Sequence, residues 1–234
     1  VLTNTAAGTS SSKAMLLVLA DGRFPSGNHA HSGGAEAAVH LGQITNANSL
    51  ESFCRARLNT TGLVMTAVAA AAASGIDALL LDDAVDARTP SPSLRATGRK
   101  LGRQLLRAAR ATWPDTSLDR LATERPHGLH QPIVLGLAAA AAGLHREDAA
   151  AVSAYETVNS PISAAIRLLG IDPFEASGIL ARLAPELDAV TARAVESSER
   201  AERHGITALP RTATPLLEIN AEWHATWQRR LFAS

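Results

Sequence analysis

Leu63-Val-Met-Thr-Ala-Val-Ala-Ala-Ala-Ala-Ala73 and Gln131-Pro-Ile-Val-Leu-Gly-Leu-Ala-Ala-Ala-Ala-Ala142 decide the fold. Alanine is the strongest helix former, because it loses no side-chain entropy in a helix, and it is depleted in strands. Both runs fall short of the ~20 residues that span a bilayer, so they read as buried core helices rather than membrane segments. The same bias holds along the chain. Alanine fills 47 of 234 positions and aromatic residues only 3%, too few rings for a usual β-sandwich core. No strand pair with turn chemistry and no repeat of fixed period occurs. The expectation is an all-α, single-domain, compact bundle of roughly eight to ten short helices.

Working outward, residues 1–13 are rich in Thr, Ser and Gly and are expected to form a disordered tail, with a helical body over 14–210 and a C-terminal segment over 211–234. Within the body, Ala14 to Ala20 reads as a short helix, and Gly22, Pro25 and Gly27 shape a loop before a helix from His29 to Leu41. Asn48 and Glu51 resemble a capping box. Gly62 and Gly75 bracket one apolar helix, and the acidic segment after Ile76 makes another. Ser93 is the expected cap of a basic helix to Arg110, followed by a loop over 115–130. Ser160-Pro161 predicts a break or kink, and Phe174 to Leu183 and Pro185 to His204 read as two helices.

Lys plus Arg and Asp plus Glu both total 22, which removes the overall field that draws basic domains onto nucleic acid or anionic membranes. The lone Cys54 excludes an internal disulfide or thiolate cluster, and the cytoplasm is the default compartment. No G-x-x-x-x-G-K-[ST], H-E-x-x-H or G-x-S-x-G occurs, so phosphate-cradling and hydrolytic chemistry lack their frameworks. His29 and His31 form an H-x-H without further ligands, which makes them weak metal candidates; a metallohydrolase or esterase built on them and Ser32 is the least supported reading. Arg95, Arg99, Arg103 and Arg107 form a stripe at four-residue spacing. It reads first as a solvated face, with a helical DNA-binding regulator using 93–110 as the rival. Near the C-terminus Ile219, Trp223, Trp227 and Leu231 also recur every four residues, and docking on the chain's own core or on a partner is equally open.

The segment Asp21-Gly-Arg-Phe-Pro25-Ser-Gly27-Asn-His-Ala-His31-Ser32-Gly33-Gly34-Ala-Glu36 resembles the opening motif of the urease accessory protein UreF family, Asp-Ser-x-Leu-Pro-x-Gly-Gly-Phe-x-His-Ser-x-Gly-Leu-Glu. Gly128-x-His130-x-Pro132-Ile-Val-x-Gly136, Ser163-Ala-Ala-Ile-Arg167-Leu, His224 and Arg230-Leu-Phe232-Ala-Ser234 extend the likeness over about residues 14–234. Ser26-Gly27-Asn28-His29 departs from the family's Gly-Gly-Phe, Ala35 replaces its Leu, and Leu168-Leu-Gly-Ile-Asp172 replaces a Gly/Gln-rich stretch.

The resemblance implies a non-enzymatic, all-helical, usually dimeric cytoplasmic scaffold that joins UreD (UreH in some systems) and the GTPase UreG on apo-urease and regulates the GTP hydrolysis coupled to nickel insertion. It implies no cofactor on this chain, since nickel, GTP and Mg are handled by the partners, and no nucleic-acid or membrane partner. Pro25, Gly27, His31, Ser32, Gly33, Gly34 and Glu36 are the partner-facing residues it suggests at the first motif, with the glycines allowing close backbone approach. Arg167 would be a charged anchor near the dimer or GTPase-facing surface. Trp223, His224, Trp227, Arg230 and Phe232 complete the expected interface, with the tail carrying His224, Arg230 and Phe232 docking UreD.

Overall fold

The computed structural model describes residues 13–27 and 30–232, so the expected disordered tail falls outside the described residues except for Lys13, which opens the first helix. The helices are α1 (Lys13–Ala20), α2 (Ala35–His40), α3 (Ala47–Arg57), α4 (Leu63–Ala73), α5 (Ala78–Arg88), α6 (Pro92–Thr112), α7 (Thr116–Glu124), α8 (Gln131–Ala141), α9 (Arg146–Leu169), α10 (Pro173–His204) and α11 (Pro215–Ala225). A π-turn, Leu58–Gly62, joins α3 to α4, so these two form one rod and the described residues hold ten helical rods and no strand. The all-α, single-domain expectation is met.

The two alanine runs lie at the centre. α4 packs against α8, α9 and α10, and Ala67 to Ala72 are all buried. A Cβ at Gly136 of α8 would lie 2.2 Å from the Ala69 carbonyl oxygen, so glycine there lets the two backbones touch. Ala138 and Ala139 continue the close contact without exposure. Small side chains therefore place the helix axes near one another, and the larger Leu135, Ile133, Ile162, Ile179 and Leu183 fill the space around them.

Several helix boundaries differ from the sequence reading. Gly62 does not start a helix: the rod passes through it in the π-turn, where a Cβ would meet Thr157 Cγ2 at 2.7 Å. The caps are Asn46 with Ser49 rather than Asn48 with Glu51, and Ser91, one Pro before Ser93. Residues 115–130 are not all loop, because Asp115 caps Ser117 N at 2.7 Å and buries Leu118 and Leu121 on α7.

Neither internal proline ends its helix. Pro185 sits on an exposed side of α10, where water can satisfy the freed carbonyl, so 173–204 is one helix of 32 residues. Pro161 lies inside α9 and removes the donor that Thr157 O would have received; the Arg57 guanidinium Nη1 donates to that carbonyl instead. α2 is shorter than expected because Gly33 and Gly34 adopt positive φ, 60° and 89°, which delays the helix to Ala35.

Candidate partner-docking site

The first motif and the C-terminal segment meet. Gly34 caps α2 in the left-handed region, and a Cβ on it would come 2.4 Å from Leu217 Cδ1 of α11. Two residues on, the Glu36 carboxylate gathers three contacts, His224 Nε2 at 2.9 Å and the backbone N–H groups of Leu231 at 2.7 Å and Phe232 at 3.0 Å, while the Glu36 backbone N–H donates to Ser32 Oγ at 3.3 Å. Glu36 is 7% and His224 3% exposed. An ionised acceptor with several donors is a strong, charge-assisted arrangement, and out of solvent it fixes the tail in one register. Phe232 is buried, with the Arg167 guanidinium 4.3 Å above its ring.

The aromatic residues form a second layer. Trp227 lies 4.6 Å from His40 and 4.7 Å from His224, ring centre to ring centre, and Trp223 meets it edge-on at 4.8 Å. α11 stops at Ala225, so Trp227 and Leu231 lie beyond the helix rather than on a continued i, i+4 stripe. The helix is also polar on its inner face. Leu217, Glu218, Asn220 and His224 are buried, while Leu216, Ile219 and Trp223 are exposed, Ile219 at 65% and Trp223 at 40%.

Polar caps hold that orientation. Glu218 accepts from Ser91 N at 2.8 Å and Glu222 from Ser93 N at 2.9 Å, so two α11 carboxylates cap the start of α6, where the helix dipole favours negative charge. Ser91 Oγ also donates to Glu222, and Asn220 Nδ2 donates to Gln43 Oε1 at 3.0 Å. The result is a helix pinned by polar contacts and Leu217, with Leu216, Ile219 and Trp223 turned outward.

The other expected site residues distribute unevenly. Pro25, Arg167 and Arg230 are exposed, whereas Gly27, His31 and Ser32 are buried. The close approaches of Gly27, Gly33 and Gly34 are to the chain's own Gln104, Pro161 with Arg57, and Leu217. His29 lies outside the described residues. Among the described residues no group of three or more His, Cys, Asp or Glu is placed to hold a metal ion, and no helix is long and apolar enough to cross a membrane.

The basic stripe of α6 is partly neutralised by α5. Arg99 pairs with Asp82 at 2.7 Å and Asp86 at 2.8 Å, Arg95 reaches Asp86 at 3.8 Å, and Arg103 donates to the His127 carbonyl. His130 joins the cluster, its Nε2 2.8 Å from Asp86 and its backbone N–H donating to Asp82 at 3.1 Å. Arg99 holds the Asp86 carboxyl well below the usual range, and burial pushes the His130 imidazole down. Three of the four stripe arginines, Arg95, Arg99 and Arg103, are thus engaged internally, which leaves a DNA backbone a much weakened field.

The sequence reading, which expects the acidic helix before the stripe to neutralise it in part, agrees with the Arg99 pairs to Asp82 and Asp86, but it missed His130 as a member of that cluster and Leu217, Glu218 and Glu222 as the fasteners of α11. Their only advance signal is the pair of carboxylates four apart after Pro215. Arg57 was also missed, although an arginine between Cys54 and Leu58, both buried, is out of place on a core-facing stretch.

Fold and site together define an all-helical, single-domain protein whose motif residues are organised around a tail closed onto the body. The UreF family profile matches residues 44–184. The chain is 39% identical to the urease accessory protein UreF of Mycobacterium marinum over 222 residues, 94% of this chain and 98% of that protein. It is 38% identical to UreF of Mycobacterium tuberculosis over 226 residues, 95% of this chain and 99% of that one. This chain belongs to the UreF family of urease accessory proteins.

Proposed function

We propose that this protein is a cytoplasmic, dimeric scaffold of urease maturation that recruits the GTPase UreG to UreD (UreH) and apo-urease and regulates the GTP hydrolysis coupled to nickel insertion. The reading rests on family membership and on one observation: α11 carries its polar residues inward and Leu216, Ile219 and Trp223 outward. A helix that docks only on its own core would turn the apolar side in, so the outward stripe fits a partner surface. In this reading residues 14–210 form the body and 211–234 the docking segment. Trp223, Trp227, Arg230 and Leu231 meet UreD, while Glu36, His224 and Phe232 hold the segment in place. Pro25 and Arg167, both exposed, are the candidates for the UreG-facing or dimer surface.

The test is urease activation in cells carrying the structural and accessory genes with and without this one, scored by the nickel content of the purified enzyme. Nickel loading that does not depend on this chain would reject the proposal.

A further inference from the structure

α6 runs for 21 residues without an Asp or Glu, and it carries the cations Arg95, Arg99, Lys100, Arg103, Arg107 and Arg110 in a chain whose formal charges sum to zero. Its two sides differ. Arg95 and Arg99 turn to the carboxylates of α5, whereas Lys100, Arg103, Arg107 and Arg110 are all exposed and follow one another at spacings of three, four and three. That spacing puts them on one face of the helix, in a row about 15 Å long.

Along this row the fold supplies little counter-charge. Arg110 pairs with Asp119 of α7 at 2.6 Å. Arg103 donates to the His127 carbonyl, which occupies one donor and leaves the charge in place. Lys100 and Arg107 have no ion pair among the described residues. Like charges three and four apart on a helix repel, so the successive neighbours Lys100, Arg103 and Arg107 destabilise the helix that carries them. Stability alone would place a carboxylate at one of these positions.

The helix is also fixed in place. A Cβ on Gly102 would stand 1.9 Å from the Leu129 carbonyl oxygen, and one on Gly128 would stand 2.5 Å from Arg103 Cγ, so glycine lets α6 lie flat against the segment before α8. The backbone under the row is thus ordered before any partner arrives, which lowers the entropy cost of binding.

The surroundings select the kind of anion. Asp119 sits at one end of the row against Arg110, and Glu124 of the same helix is exposed as well. A continuous chain of phosphates would meet this negative charge. The row also lacks an amide to read bases, since Gln104 lies under Gly27, whose Cβ would meet Gln104 Oε1 at 1.9 Å. Carboxylates set singly on a protein surface can match the uncompensated positions and leave Asp119 with Arg110.

We propose that the Lys100, Arg103 and Arg107 row of α6 is a second docking surface, which takes a protein partner presenting a matching row of Asp and Glu side chains. The inference rests on the adaptor reading for the presence of a partner and adds a face distinct from the outward side of α11. Calorimetry at low and at high salt measures binding of the full chain to UreD, and of the chain with UreD to UreG and to apo-urease. For the partner that meets this face, wild-type affinity is expected to fall with salt. Lys100→Glu combined with Arg107→Glu is expected to lower the low-salt affinity by about tenfold or more.

The reversal turns repulsive neighbours into attractive ones, so the isolated double variant is expected to match or exceed the wild-type Tm, which separates lost docking from lost folding. Lys100→Gln with Arg107→Gln gives a second reading without new charges, and Lys100→Arg with Arg107→Lys, which keeps both cations, is expected to bind as the wild type does. If the wild type and both charge-removing variants bind every partner alike, the proposal is overturned while the adaptor reading stands. If the wild-type chain binds none of the three, both fall. Saturable binding of a short DNA duplex at physiological salt, lost in the reversal variant, overturns the proposal in favour of a nucleic-acid face.

Discussion

Glu36 and His224 stand 2.9 Å apart across 188 residues of sequence, both buried, and the same carboxylate also receives the backbone of Leu231 and Phe232. One side chain on the second helix therefore fixes the position of everything after α11. The arrangement places Trp227 between His40 and His224 and leaves the Ile219 and Trp223 side of α11 uncovered.

Glu36→Gln keeps the shape and removes the charge. The side chain then no longer accepts from all three partners, and the amide presents a donor where backbone N–H groups already point. The expected loss is about 1–3 kcal/mol, seen as a lower urea midpoint, with faster proteolysis confined to residues 211–232. A variant whose tail resists protease as the wild type does would show that Glu36 does not hold it.

Ile219→Ser combined with Leu216→Ser alters only exposed positions, so stability should change by no more than about 0.5 kcal/mol. Co-purification with UreD and urease activation are expected to fall at least tenfold. Retained pull-down by an equally stable double variant would remove α11 from the interface.

Acid sensitivity follows from the α5–α6–α8 cluster. The folded-state pKa of His130 lies below its ordinary 6.5 because of burial, and that of Asp86 lies below 3.8 because of Arg99. In each case the unfolded chain takes up the proton first, so the His130 contribution is complete above pH 6.5 and declines below it, while that of Asp86 declines only below about pH 4. Glu218 acts oppositely, since burial raises its pKa and protonation favours the folded state. The comparison is therefore made between wild type and His130→Gln, whose urea-derived stability should fall less steeply between pH 6.5 and 5. Equal slopes would count against a neutral buried imidazole.

Cys54 is fully buried, and burial pushes its thiol up to about 12. Its thiolate fraction at neutral pH is negligible, so iodoacetamide should label it only in denaturant. Mass spectrometry of the native and urea-treated chain reads the difference.

The helical class was legible because alanine acts locally: the runs at 63–73 and 131–142 carry their own preference for helix. Their mutual contact was not, because nothing local in Gly136 says that Ala69 O will occupy the place of its missing side chain. The prolines misled for a related reason. Pro161 breaks a helix only if the Thr157 carbonyl stays unpaired, and its rescue comes from Arg57, 100 residues away. At the site, the motif residues Glu36, His224 and Phe232 were named from resemblance, yet that they bind one another is a property of the closed fold. The C-terminal stripe was visible as a period, while its direction was set by Glu218 and Glu222 reaching Ser91 and Ser93, a match no single segment contains.

Closing the first motif with the last helix has a consequence for biogenesis. As the nascent polypeptide leaves the ribosome, Glu36 emerges early but waits for its donors until residues 224–232 have been translated, so the tail closes only after the rest of the bundle has been made. Premature chains ending before that stretch would keep Leu216, Ile219 and Trp223 but leave the Glu36 carboxylate without the three donors that close the fold over α2.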